Sequence, residues 1–255
     1  MASQLSAHRG GQDDPGSAVG VPAATPVHHS TVYHSAGGPQ VVINNPSGSV
    51  TVPLGAASAA AQPAHEPIRV FFAGASPFDI ALDRLRADRE FRAIQRHERP
   101  DALVLSSRHA AGVDDLNAAL RERPDVLHLA CHFAEGTLRF EDPVGDPHPV
   151  PVAALRQRFD AYHRHAGFTL SGLVFSVCES ADFAEGFVGV ADTVIAWRGL
   201  LDDDCAIAFA DRMYRELSRD PGQRLGNAAR LAAVEVATSE NGCDNLGDRL
   251  VVLSR

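Results

Sequence analysis

Two apolar stretches of this chain each end in a group that could do chemistry: "DVLHLACHF" (125–133) brings His128, Cys131 and His132, and "SGLVFSVCES" (171–180) brings Cys178. A free thiol is mostly protonated at neutral pH, and a nearby imidazole can take its proton or stabilise the thiolate, so a cysteine beside a histidine points to nucleophilic catalysis. The competing reading is a metal site. On a helix, His128 and His132 would share one face and could chelate an ion. Pro124 just before the stretch and its Val and Leu neighbours predict a buried strand instead, and on a strand four residues span about 13 Å, too far for one ion. Strand alternation then puts His128 and His132 on one side of the sheet and Cys131 on the other. Cys131 reads as core, His128 as a satisfied histidine deeper in the sheet, and His132 as the residue at the strand's carboxyl end.

The elements around these residues decide whether they meet. From Pro67 onward, short apolar runs alternate with amphipathic stretches, the pattern of a parallel α/β sheet. Strands are expected at "IRVFFAG", "ALVLSS", "DVLHLACHF", "SGLVFSV" and "DTVIAW", with "RLVVLS" closing the sheet, and a hairpin near "GTLRFEDPVG". Helices are expected across "FDIALDRLRADREFRAIQRH", "VDDLNAALRER" with Asp114 as its cap, "VAALRQRFDAYHRH", "DDDCAIAFADRMYRELSRD" and "RLGNAARLAAVEVATS". Ligands of open parallel sheets gather beyond the carboxyl ends of the strands, which is where Cys178 and His132 fall on their own strands. If those strands are neighbours, the two residues form a Cys–His dyad. A helix starting at "SADFAEGF" would add roughly 0.3–1 kcal/mol through its positive end. A buried cysteine and a satisfied core histidine would account for the same residues.

Residues 1–66 are rich in Gly, Ala, Ser, Pro and His and are expected to be mostly disordered tail, with a short hairpin at "QVVINNPSGSVTV" (40–52). His28, His29 and His34 lie in this tail and are read as no metal site. The apolar share is 45% and the formal net charge −9, which argues against nucleic acid or an anionic membrane as the main partner. The N-terminus lacks the order of a signal peptide and there is no run of 18 apolar residues, so a cytoplasmic protein is expected. The four cysteines form no C-x-x-C pair and in a reducing compartment should be free thiols.

These residues resemble the CHAT domains, a bacterial branch of the caspase-like cysteine peptidases that also includes separases. The resemblance rests on "FFAGASPFDIALDRLRADREFRAI", "RPDVLHLACHF", "SGLVFSVCES" and "VADTVIAWRGLLDDDCAIAFADRMYREL", in that order between Ile68 and Ala237. It implies a three-layer caspase-like fold, a mainly parallel central sheet flanked by helices, over residues 67–255. It makes His132 the general base and Cys178 the nucleophile, with main-chain N–H groups nearby as the oxyanion hole and no cofactor or metal. Two departures stand out. Phe133 occupies the place after the histidine where the family usually has glycine, so its N–H would serve the oxyanion from a backbone that glycine adopts more easily. Ser176, two residues before the cysteine, cannot supply a negative charge to a first specificity pocket. Glu179 and Asp182 are the acidic candidates for that role, although each also suits a helix start, and Trp197 either lines the cleft or caps the core.

The resemblance implies a peptidase acting on a protein substrate in a defence or cell-death-like system, switched on by a sensor protein in trans. The alternative is a catalytically inactive caspase-fold module that recruits a partner, favoured by Phe133 and Ser176. A small-molecule hydrolase or nucleotide-binding protein is the third class; the chain has no G-x-S-x-G, G-x-x-x-x-G-K-[ST] or G-x-G-x-x-G,.

Overall fold

The structure is a computed structural model that describes residues 30–35, 38–45, 48–53, 66–78 and 84–255, with side chains described from residue 66 onward. The chain divides into two units, Met1–Gln62 and Pro63–Arg255. In the first, β1 (Ser30–Ser35), β2 (Gly38–Asn45) and β3 (Gly48–Pro53) pair antiparallel in that order. The expected tail character of residues 1–66 falls mostly outside the described residues, as do His28, His29 and the side chain of His34.

The second unit is built on a six-stranded sheet. Its strands in chain order are β4 (Ile68–Gly74), β5 (Leu103–His109), β6 (Val126–Ala130), β10 (Leu170–Ser176), β11 (Ala191–Trp197) and β12 (Leu250–Ser254). Their order across the sheet is β12-β11-β10-β6-β4-β5. All pairs are parallel except β11 with β12. A separate small sheet, β7 (His132–Ala134), β8 (Thr137–Glu141) and β9 (Pro147–Pro151), is inserted after β6.

Alternation along the strands sends side chains to two cores. Phe71, Leu127, Leu129, Cys131, Leu173, Phe175 and Val177 pack on one face with Leu116 and Leu120 of α2 (Val113–Glu122) and Leu155 and Phe159 of α3 (Val152–Ala166). Val70, Phe72, Val126, Ala130, Val174 and Ile195 pack on the other with α1 (Ala87–Gln95), α5 (Asp203–Arg219) and α6 (Leu225–Ser239). The result is the expected three layers, a mainly parallel sheet between helices.

Several local expectations are corrected. The strand expected to run through Phe133 stops at Ala130, because the chain leaves the main sheet and His132 opens the small one. The helix expected from Phe78 is described only from Ala87, and residues 79–83 lie outside the described set. Asp114 does not cap α2: Gly112 holds the cap position and its N–H donates to the Asp115 carboxylate at 2.9 Å. Cys205 and Cys243 are not free thiols but a disulfide, joining the first turn of α5 to the connection between α6 and α7 (Leu246–Arg249). Cys131 and Cys178 are free.

Candidate active site

The site lies at the carboxyl ends of β6 and β10. These strands are direct neighbours, in register so that Ser176 pairs with Ala130. Two residues further on, Cys178 and His132 leave the sheet side by side. Up to the strand ends, Val126 and Ala130 of β6 and Val174 of β10 face the α1/α5 layer. Cys131 and Val177 belong to the opposite core. The structure therefore brings Cys178 and His132 to one cavity, lined also by Leu85, Glu90, Cys131, Ser176, Leu201, Asp203 and Ala206. The cavity holds about 20 Å³, room for roughly one water.

The turn that presents Cys178 is fixed by its own backbone. Glu179 takes a positive φ of 55°, a region non-glycine residues rarely enter, and its N–H donates to the Gly199 carbonyl at 2.8 Å. Ser180 is fully buried; its hydroxyl donates to the Val177 carbonyl (2.8 Å) and accepts from the Trp197 N–H (2.9 Å). The Cys178 turn is thus tied to Trp197 at the end of β11 and to Gly199 just beyond it.

The helix expected after Cys178 is present but short. The helix after Cys178, α4 (Ala181–Ala184), is one turn long and continues as a 3-10 turn, Glu185–Phe187. The Leu201 N–H donates to Cys178 Sγ at 3.2 Å, and the thiol reaches the Leu201 carbonyl at 3.7 Å. Leu201 is placed by the start of α5, where Asp202 accepts from the N–H groups of Asp204 (2.9 Å) and Cys205 (3.3 Å). An N–H aimed at sulfur favours the thiolate, the reactive form.

Phe133 sits in β7, whose strand pairs with β8 through a two-residue turn, Glu135–Gly136, with both φ angles positive. In such a ladder the closing pair, Ala134 with Thr137, is hydrogen-bonded and the next pair, Phe133 with Leu138, is not. The Phe133 N–H therefore points away from β8. Phe133 is not among the residues with positive φ, so the glycine-type backbone expected at this place is absent and the side chain causes no strain. Its ring packs against Phe183, with centroids 5.0 Å apart.

The remaining sequence candidates divide. Ser176 is buried and lines the cavity. Glu179 and Asp182 are both exposed and neither lines it; Asp182 faces a groove beside β12. Trp197 is buried against Phe209, in the core beneath α5, and does not line the cleft. The carboxylates at the cleft are Glu90 of α1, which the sequence marks only as a match to the family's helix pattern, and Asp203 of α5, which it does not mark. Burial is the main cause that raises the Asp203 carboxyl above its ordinary range; the Arg86 N–H and guanidinium oppose the rise and Glu90 adds to it. Cys131 also reaches the cavity wall, but burial pushes its thiol up to about 12, which leaves it inert beside Cys178. His128 is satisfied on both ring nitrogens, 3.0 Å from Tyr214 Oη and 3.0 Å from a Glu90 oxygen.

The chain is also similar to known proteins. A family model described as CHAT domain matches residues 38–244. The Roc-COR-CHAT protease of an unknown prokaryotic organism is 24% identical over 125 residues, 48% of this chain but 12% of that protein. Among solved structures, caspase-1 from Spodoptera frugiperda aligns over 75% of this chain and 87% of its own, with 14% identity and a TM-score of 0.46.

Proposed function

This chain belongs to the CHAT domain family, and we propose that it is a cysteine endopeptidase working through Cys178 and His132. One observation carries the reading: the two residues each stand two positions past a paired residue of adjacent parallel strands and share one cavity. In the proposed reaction His132 accepts the Cys178 proton and the thiolate attacks the scissile carbonyl. The tetrahedral oxyanion is received by main-chain N–H groups, that of Phe133 among them. His132 then returns the proton to the leaving amine, and water releases the acyl-enzyme.

A cavity of about 20 Å³ does not admit a peptide. The segment Gly199–Leu201, whose main chain rests on Cys178 and Glu179, has to move before substrate can enter. The small cavity supports a rearrangement before substrate binds, which a partner protein in trans would bring about; the defence or cell-death-like setting rests on the family resemblance alone. The small cavity also favours the second reading, an inactive module that recruits a partner.

Alkylation of Cys178, followed by peptide mass spectrometry in wild type and His132→Ala, separates the two. A peptidase site gives a Cys178 that reacts faster than glutathione at pH 7 and loses that advantage in the variant. A Cys178 no faster than glutathione in either protein favours the module. A purified chain that cleaves protein unaided would remove the need for the partner.

A further inference from the structure

Beneath the cleft lies a buried polar chain that the proposed reaction does not use. His128 is fully buried and Glu90 nearly so. They come from β6 and α1, and Tyr214 of α5, also fully buried, completes the set. The Phe72 ring covers the imidazole, with centroids 5.2 Å apart. Three buried polar side chains from three elements are costly unless each is satisfied. Here they are satisfied by one another, and one of them, Glu90, also lines the cavity that holds Cys178 and His132.

The bonds give the network a direction. A carboxylate only accepts, so His128 donates its Nε2–H to Glu90. A neutral imidazole then accepts at Nδ1, and the Tyr214 hydroxyl is the donor. Tyr214 holds its proton firmly: burial first, and Glu90 second, raise its pKa well above the ordinary value. Among the described residues no arginine or lysine reaches Glu90; its one ion-pair partner is the His128 ring. The other carboxylate of the cleft differs in this respect, because Asp203 is countered by the N–H of Arg86 (2.9 Å) and by its guanidinium (3.5 Å).

Resting on the reading of Cys178 and His132 as a dyad, we propose that Tyr214 and His128 act in series to hold Glu90 as an anion at the cleft, where it stabilises the imidazolium that His132 becomes on taking the Cys178 proton. Only that proton moves, from Sγ to the imidazole. Glu90 stays ionised throughout and is a positioning residue rather than a catalytic one. Its charge favours the thiolate–imidazolium pair over the neutral pair, and it makes the cleft attractive to cations.

The test uses the full chain and two readouts on Cys178: the rate of alkylation by neutral iodoacetamide at pH 7, and the ratio of rates for a cationic and an anionic methanethiosulfonate of similar size. Glu90→Gln, nearly isosteric, should slow iodoacetamide about tenfold and lower the cation-to-anion ratio about tenfold, the low end of what one neighbouring charge does. Tyr214→Phe keeps the ring but removes the donor to Nδ1, freeing His128 to take a proton and neutralise Glu90; the ratio should fall here too, with Glu90 intact. A purely structural role would change all three reagents alike and leave the ratio unmoved, and that result overturns the proposal. So does a Glu90→Gln protein whose rates stay within twofold of wild type while His132→Ala slows Cys178 strongly; the dyad then stands without this support. If His132→Ala itself leaves Cys178 unchanged, the dyad fails and the proposal falls with it.

Discussion

The Leu201 N–H points at Cys178 Sγ from 3.2 Å, and its carbonyl stands 3.7 Å from the same atom. One peptide residue thus serves both states of the sulfur: the carbonyl accepts from the thiol, and the N–H donates to the thiolate. A hydrogen bond to a charged group contributes roughly 1.5–3 kcal/mol, so deleting the donor should be visible in reactivity. Leu201→Pro is expected to slow alkylation of Cys178 at pH 7 by about tenfold or more, whereas Leu201→Ala, which keeps the N–H, should stay close to wild type. Equal rates in the two variants would remove Leu201 from the account of the site.

Cys131 offers the opposite case. Its thiol lies next to His132 in sequence, yet burial pushes it up to about 12, and it packs in the core on the other face of the sheet. In the native protein at pH 8 it should remain unmodified while Cys178 reacts, and become accessible only on unfolding. Cys131→Ala should leave the Cys178 rate unchanged. Cys131→Ser should lower stability by about 1–3 kcal/mol, because it buries a hydroxyl in an apolar site. Differential labelling with and without denaturant, and urea unfolding, measure the two effects.

Asp203 links the cleft to pH. Its folded carboxyl sits above the ordinary value of 3.8, chiefly through burial. The folded protein therefore holds that proton more tightly than the unfolded chain. The stability this contributes is present below the ordinary value and is lost as pH rises through the folded one. Asp203→Asn cannot ionise and can still accept from the Arg86 N–H. Its stability relative to wild type should grow as pH is raised from 4 to 7 in urea titrations; a flat or falling difference would show that Arg86 outweighs burial.

The faces of the central strands were legible because alternation is a strict geometric rule. Leu127, Leu129 and Cys131 against Val126, His128 and Ala130 could be sorted on the page, and the structure sorts them the same way. The neighbourhood of β6 and β10 was a condition the sequence could state but not decide, since strand order depends on long-range packing. Leu201 was invisible because its contribution is a backbone N–H that any residue but proline would provide. The one signal was Asp202, whose type and place before an amphipathic run mark a helix start. Glu90 matches the family's helix pattern in the sequence, but nothing there gives it a place at the cleft; its contact with His128 does. The helix expected after Cys178 was legible as a start but not in length, because "ADFA" makes one turn before the chain tightens.

Reading the cysteines by compartment missed the pair that forms, because spacing alone does not tell which thiols meet. Cys205 and Cys243 are 38 residues apart, and on the chain-entropy account a loop of that length is worth roughly 4 kcal/mol. The Cys205→Ala/Cys243→Ala double variant should lose about that much in urea unfolding under oxidising conditions. Wild type unfolded in the presence of a reductant should move toward the variant. A variant as stable as wild type would mean the closed loop contributes nothing to the folded state.

The bridge also changes what a cut in this region looks like. Most of α5, the turn after it and the whole of α6 lie inside a covalent ring closed by Cys205 and Cys243. A protease that nicks the chain anywhere within that ring opens it without releasing a fragment. Under non-reducing electrophoresis the nicked protein would migrate near the intact one, and only reduction would part the two pieces. Processing here, by the protein itself or by another enzyme, would be silent in any assay that reads fragment size with the disulfide in place.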